Sequence, residues 1–482
     1  MGEKQVAEAR RLLAAHGIPT FRTPDPAIEM FAHVSAFYRN QKILLQTPGP
    51  LSHHPEPDVA GARLVIESAL AERRTVLSEM VSKAVLAAFH VPIANAVRVH
   101  SANEAMLVAE QTGFPVVMKI DSPDITHKSD AGGVRIGIAN AQAVQDAYRE
   151  MTDGLKRLRP DARLSGVVVE PMVARANGRE LMVGVVYDRV FGPAITFGTG
   201  GTAVEVHADR AVALPPLNGM LIGELVRGTR ANRLLGEFRN MPAVNRDALE
   251  TVLLRVSEMV CELPAIREMD VNPLLVDESG AIALDARIVV GRPRAALPRY
   301  GHMAIHPYPV HLVSEWVAPN GMRVTVRPIR PEDAEIERQF VKQLSPEAKY
   351  FRFMSTIREL SPQMLARFTQ IDYDREMALV AVAAKDGRSE EVGVTRYITN
   401  PDGSSCEFAI VVDDEWQKHG LGRYLLTQLI EIARSRGLAQ MSGDILTANQ
   451  PMLALAASLG FTISEFPGDQ ELKRATLAIE HR

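Results

Sequence analysis

The loop Gln417-Lys418-His419-Gly420-Leu421-Gly422 joins an alternating run, Glu407 to Val412, to a stripe of Leu425, Leu426, Leu429, Ile430 and Ala433. Alternation predicts a strand with Phe408, Ile410 and Val412 on one face and Glu407, Ala409 and Val411 on the other. The stripe predicts a helix that stops at Gly437. A strand, a glycine loop and a helix start together make an anion site. The glycines let backbone approach a pyrophosphate, and unpaired N–H groups with the helix dipole favour its charge. Taken alone, the loop fits a plain strand-turn-helix connection equally well. Glu407, on the incoming strand, could take a proton from an amine, whose pKa of about 10.4 keeps it mostly charged at neutral pH. The alternative for Glu407 is a solvated strand-end glutamate. Asp413, Asp414 and Glu415 suit either the orientation of a basic substrate or a solvated turn.

The context of the loop narrows its chemistry. Asn449-Gln450-Pro451-Met452 reads as a capped helix start, and that helix ends in Leu459-Gly460-Phe461. Loop and capped helix in this order resemble the GNAT superfamily of acyl-CoA-dependent N-acyltransferases, over roughly 321–480. The resemblance implies a mixed sheet splayed at the strand before the loop. It implies acetyl-CoA as donor, with its pantetheine arm paired to the backbone of Val411 and Val412. Its phosphates would lie on Gln417, Lys418, His419, Gly420, Leu421, Gly422 and Arg423, with Asn449 opening the next motif. Backbone N–H near Val412 would meet the oxyanion. The tyrosine that many such enzymes carry after the Asn motif is absent from residues 452–459, so a thiol of pKa about 8.5 would leave with little help.

The central part carries a second set of chemical groups. Lys119 follows the apolar run Pro115–Met118, a place for a phosphate-binding lysine or a surface one. His127 lies in Asp124-Ile125-Thr126-His127-Lys128-Ser129-Asp130-Ala131-Gly132-Gly133, as a phosphoryl carrier or a plain hydrogen-bonder. Glu170 ends the run Val167–Val169 at a candidate adenine hinge. Asn272 and Asp285, on neighbouring predicted strands, offer hard oxygen ligands suited to Mg²⁺. These residues together resemble the ATP-grasp domain of ADP-forming acyl-CoA synthetases, over about 76–295. The resemblance implies ATP or ADP contacts at Lys119 and Glu170, Mg²⁺ at Asn272 and Asp285, and a phosphohistidine role for His127. Glu180 and Glu205 are further candidates, as suited to the surface.

The elements that must position these groups fall into blocks. A chain of 482 residues exceeds one hydrophobic core. Residues 1–60 hold two helices and a short strand near Gly17-Ile18-Pro19, and Ala14–Pro24 resembles the end of the flavodoxin-like domain of such synthetases. The rest of that domain and the CoA-binding domain are missing, which points to a companion chain or a longer product; a homo-oligomer is the other expected assembly. Residues 61–75 read as a linker, 76–297 as the ATP-grasp domain, 298–320 as a second linker and 321–482 as the GNAT domain. The fold class is α/β and α+β multidomain.

Bulk composition excludes several roles. Net charge is −4 without a basic run, so neither nucleic acid nor an anionic membrane is an expected partner. The two cysteines, Cys261 and Cys406, form no cluster, and no segment reads as membrane-spanning, which fits a reducing cytoplasm. A synthetase-like region ahead of a GNAT domain resembles the bacterial Pat-type protein lysine acetyltransferases. That resemblance implies an acceptor lysine on a protein such as an AMP-forming acyl-CoA synthetase, with the ATP-grasp part regulatory. Two alternatives stand beside it: a β-like subunit of an ADP-forming acyl-CoA synthetase, and a module that senses nucleotide or acyl-CoA without catalysis.

Overall fold

The computed structural model describes residues 3–49, 54–122, 124–125, 132–201, 209–292, 299–319, 321–385 and 388–479. The chain opens on two helices, α1 (Glu3–Ala15) and α2 (Pro24–Leu44). The short strand expected at 17–19 is not formed. No residue of α2 is buried, and Phe31, Phe37 and Tyr38 are largely exposed. The segment after α2 is tied down: Asn218 Nδ2 donates to Gln46 Oε1 at 2.9 Å, and Tyr308 N donates to Pro48 O.

Helix α3 (Val59–Ala71) corrects the linker expected over 61–75. Asp58 caps it by accepting from Gly61 N at 2.8 Å. Ala62, Ile66 and Ala69, spaced for one face, are buried in a core shared with α4 (Glu79–Ala88).

A small layer follows. It holds β1 (Val97–Val99), α5 (Ala102–Thr112), β2 (Val116–Asp121), β3 (Val134–Ile138), α6 (Ala141–Leu158) and β4 (Gly166–Pro171). Its strands lie in the order β1-β4-β2-β3. Asn140 caps α6 through Ala143 N, and Val144, Ala147, Met151 and Leu155 repeat at helical spacing and are buried.

The larger layer contains β5 (Arg179–Asp188), β6 (Gly192–Thr199), β7 (Arg210–Ala213), α7 (Gly219–Arg227), α8 (Arg246–Glu262), β8 (Ile266–Asp277), β9 (Gly280–Ala283) and β10 (Ala286–Val290). The strand order is β10-β8-β5-β6-β7, with β9 paired to β8. Helices α3, α4, α7 and α8 contribute to its core.

The last unit begins earlier than expected. Strand β11 (Ser314–Val317) lies inside the presumed linker 298–320, yet pairs with β12 (Arg323–Pro328) as the first strand of a sheet. Tyr308, also from that segment, is buried in the same core. Then come α9 (Ala334–Gln343), α10 (Pro346–Phe353), α11 (Pro362–Thr369), β13 (Glu376–Lys385), β14 (Arg388–Thr399), β15 (Ser405–Val412), α12 (Leu421–Ser435), β16 (Gln440–Leu446), α13 (Gln450–Ser458), β17 (Thr462–Phe466) and β18 (Asp469–Ala478). The order β11-β12-β13-β14-β15-β16-β18-β17 is antiparallel except at β15–β16, so the sheet is mixed. Among the described residues no helix is long and apolar enough to cross a membrane.

Candidate acyl-CoA and nucleotide sites

Strands β15 and β16 pair over only three residues, Ser405–Glu407 with Gln440–Ser442. Past Glu407 they separate, while β15 stays paired to β14 up to Val412. Among the described residues, one edge of β15 is therefore without a partner strand from Phe408 to Val412, and its peptide groups can meet an extended ligand. Two contacts keep the strands apart. The ring of Phe408 packs on Phe461 at 5.1 Å between centroids. Gly443 of β16 faces that ring so closely that a Cβ would lie 2.6 Å from it.

A cavity of about 480 Å³ opens at the splay. Ile410, Val411 and Val412 form one wall, and Gln417, Lys418, Gly420, Gly422 and Arg423 line the loop end. Asn449 and Met452 close it from α13, and Phe351 and Arg352 from α10. The sequence thus brings eight of its ten expected acyl-CoA residues to one cavity. The other two do not line it: His419 is exposed, and Leu421 is fully buried in the core, where it anchors the first turn of α12.

Local geometry explains the loop. Gly420 adopts φ +95° as the N-cap of α12 and has no side chain to bond the first amides, so these stay available. Lys418 is held at φ +63°. Gly422 lies within the helix, and a Cβ there would come 3.6 Å from Leu455 and 3.7 Å from Val412, both on the cavity wall. Gln417 Nε2 donates to Val412 O at 3.1 Å, fastening loop to strand. Asn449 caps α13 by accepting from Met452 N. Of the acidic trio, Asp414 accepts from Ser345 N and Oγ, each at 3.0 Å, and so fixes the start of α10. Asp413 accepts from Glu415 N. These bonds give Asp413 and Asp414 structural work in the turn. Glu407 is exposed at the point of separation, opposite Ser442.

Arg352 was missed in the sequence. Burial and the like charge of Arg396 pull its pKa down to about 10, which leaves it charged at neutral pH. Behind it, Glu391 of β14 and Glu337 of α9 are buried together. Burial, then the Glu337 carboxylate, raises the Glu391 pKa well above the usual range.

In the other unit, Lys119 and Glu170 do come together, with two partners the sequence reading passed over. Lys119 Nζ lies 2.8 Å from Glu79 and 2.5 Å from Glu170. Lys83 Nζ lies 3.0 Å from the same Glu79 and 2.6 Å from the same Glu170. Two lysines and two glutamates thus alternate in a closed, buried ring that joins α4, β2 and β4. Lys119 also donates to Leu284 O at 3.1 Å, in the turn before β10, so it bridges the two layers. Burial opposes its charge, but the carboxylates of Glu79, Glu170 and Asp285 outweigh this and hold its pKa above the ordinary lysine value.

The proposed Mg²⁺ ligands are neighbours. Val271, beside Asn272, pairs with Ala286, beside Asp285. Asn272 Oδ1 accepts from Gly201 N at 2.8 Å, which leaves a lone pair free. Burial and the Asp285 carboxylate raise the Asp270 pKa. Like charges crowded beside an amide oxygen are a donor set that a hard divalent cation would relieve, so the residues fit Mg²⁺. Among the described residues no group of three or more His, Cys, Asp or Glu is arranged to hold a metal. The Glu180 carboxylate is exposed beside Gly201. His127 and Glu205 lie outside the described residues.

Fold and sites define a nucleotide-binding ligase-type unit fused to an acyltransferase unit, and comparison with known proteins names both. Residues 68–290 match the ATP-grasp domain family and residues 346–461 the acetyltransferase (GNAT) family. The β subunit of ADP-forming acetate–CoA ligase I of Pyrococcus furiosus is 39% identical over 232 residues, 48% of this chain and 99% of that one. ADP-forming acetate–CoA ligase I of Archaeoglobus fulgidus is 35% identical over 291 residues, 60% of this chain but 42% of its own length. An acetyltransferase of Pseudomonas aeruginosa is 41% identical over 150 residues, 31% of this chain and 81% of that one. The GNAT domain of S. lividans PAT is 28% identical, covering 36% of this chain and 99% of that domain, with a TM-score of 0.33. The chain belongs to the ATP-grasp family of ADP-forming acetate–CoA ligase β subunits over its central part, and to the GNAT acetyltransferase family over its last third.

Proposed function

We propose that the chain transfers an acetyl group from acetyl-CoA to a protein lysine, on an acyl-CoA synthetase, with the ATP-grasp unit binding ATP or ADP with Mg²⁺ in a regulatory role. The observation that carries this reading is the separation of β15 from β16 immediately after Glu407. Pyrophosphate rests on the free amides at the start of α12. The pantetheine arm runs along the unpaired edge of β15, roughly 17 Å for five residues of strand. The thioester then reaches the fork, where Glu407 stands. Glu407 takes a proton from the lysine ammonium, directly or through water. The neutral amine attacks the thioester carbonyl, the oxyanion is met by a strand N–H at the fork, five residues from the expected one near Val412, and the C–S bond breaks as the amine's second proton passes to the departing CoA sulfur.

Transfer of labelled acetyl to a purified AMP-forming acyl-CoA synthetase tests this. Glu407→Gln is expected to lower transfer by roughly 10²–10⁴-fold while leaving acetyl-CoA affinity unchanged. Equal transfer by wild type and variant removes Glu407 from the mechanism, and no transfer by wild type removes the acceptor class.

A second reading, formation of ATP from ADP, phosphate and acyl-CoA with a companion chain, is favoured by the coverage of 99% of a ligase β subunit. Asn272 and Asp285 would then hold Mg²⁺, which supplies charge neutralisation of the nucleotide phosphates, and His127 would carry the phosphoryl group. Phosphate-dependent ATP formation, abolished by His127→Ala, is its expected signature.

A further inference from the structure

A larger cavity, about 750 Å³, lies away from the acyl-CoA cleft. It sits where residues 299–312 cross from the ATP-grasp unit to the acyltransferase. Both ends of that crossing are fastened. At the first, Tyr300 OH donates to Glu262 Oε1 at 2.7 Å, Arg299 Nη2 to the same carboxylate at 3.3 Å, and the His302 ring to Val260 O at 2.8 Å, all on α8. At the second, Tyr308 OH donates to Pro328 O at 2.9 Å and its ring meets Tyr373 edge-on at 5.8 Å. A ligand between them touches both units.

The lining carries an excess of cationic groups. Arg375 and Arg436 bring two guanidiniums against one lining carboxylate, Asp374, while Arg299, paired with Glu262, and the His306 and His311 imidazoles complete the polar wall. Arg436 spends one N–H on Asp374 O at 3.2 Å, and His306 Nε2 lies 3.6 Å from Asp374 Oδ1. Planar guanidiniums present paired donors that match phosphate oxygens. The volume falls in the range of about 300–1,000 Å³ of small-molecule sites, and Tyr373, Leu312 and Ile432 supply apolar wall.

We propose that this cleft binds a polyphosphorylated small molecule of the nucleoside diphosphate class, at a site separate from the ATP-grasp cleft. The inference goes beyond the acetyltransferase reading and does not depend on it. Its occupant would clamp the crossing segment to the back of the acyltransferase sheet, and so couple the two units. The histidines add a pH signature. Burial lowers the His306 pKa, Asp374 and Asp372 oppose this, and Arg436 adds to it. Burial, Arg299 and Arg436 lower that of His311. Both are neutral in the empty cleft near neutral pH. A bound polyanion favours their protonated forms, so binding tightens as pH falls.

The test is hydrogen–deuterium exchange and calorimetry on the full chain with ADP and with inorganic pyrophosphate, in magnesium-free buffer. ADP is expected to protect peptides from 299–312 and 432–438. Arg375 is exposed, so Arg375→Glu should fold normally; it is expected to abolish that protection and weaken this binding event by roughly tenfold or more. Affinity should rise from about pH 8 to about pH 6. Protection confined to 68–290, or protection unchanged by Arg375→Glu, overturns the site. Equal affinity for pyrophosphate and ADP overturns the nucleoside class. None of these readouts involves acetyl transfer.

Discussion

At the residue scale, the acyl-CoA loop turns on what a single methyl would do. A Cβ on Gly422 would meet Leu455 and Val412 at ordinary contact distance, so the fold has room for it. The room it fills is the cleft. Gly422→Ala should therefore raise helix stability slightly, by up to about 1 kcal/mol, because alanine is the better helix former. It should also weaken acetyl-CoA binding roughly tenfold or more, read by calorimetry. A mutation that improves folding and harms binding separates a site glycine from a structural one. Glu391 makes the opposite case, a charge-bearing group whose neighbours disfavour its charge. Its folded-state pKa is raised, by burial first and by Glu337 second. Such a carboxyl stabilises the fold while protonated, and that contribution is lost as pH rises from its unfolded value of about 4.3 through the folded one. Glu391→Gln should raise the melting temperature by a few degrees at pH 8 and flatten its fall with pH. An unchanged pH profile would contradict the buried, proton-holding carboxyl.

At the element scale, the strand fork positions Glu407 against the cleft. Pairing of β15 with β16 stops at Glu407, and the packing of Phe408 between Gly443 and Phe461 props the fork open. Phe408 is buried and cannot swing aside. Gly443→Ala should cost about 1–3 kcal/mol in denaturant unfolding, the usual penalty for overpacking. Acetyl transfer should fall with it, because the ring must move toward the cleft. Loss of stability without loss of transfer would detach the prop from the site. Strand β11 belongs to the same scale. Trp316 on it meets Tyr424 of α12 at 6.3 Å, and a Cβ on Gly420 would lie 3.9 Å from its ring, so residues that read as linker brace the phosphate loop.

At the scale of the whole molecule, the ATP-grasp and GNAT units keep separate cores, the GNAT one around β13–β15 and the larger ATP-grasp one around β5 and β8. The ring of Lys83, Glu79, Lys119 and Glu170 ties α4, which packs in the second, to β2 and β4 of the smaller ATP-grasp layer, which has a core of its own. Lys83→Met leaves two buried carboxylates sharing one lysine, a change expected to cost about 3–5 kcal/mol. Calorimetry should show that loss in the ATP-grasp transition alone. Acetyl-CoA should raise the other transition alone, since a ligand stabilises the state it binds. One joint transition responding to both would mean that the crossing segment couples the units more tightly than their cores imply.

Sequence alone determined what depends on near neighbours along the chain. The glycine loop, the Asn449 cap and the stripe of α12 rest on signals within a few residues, where local sterics and hydrogen bonds decide. Helix α3 carried such a signal too, in Asp58 and the spacing of Ala62, Ile66 and Ala69, although it read as a linker. Tertiary structure alone decided the rest. Lys83 meets Glu170 across 87 positions and Glu79 meets Lys119 across 40, from an ordinary amphipathic helix that gives no hint of its partners. The same holds for Arg352 at the cleft and for the place where β15 leaves β16. Burial and long-range pairing create those features, and neither is written in residue type or spacing.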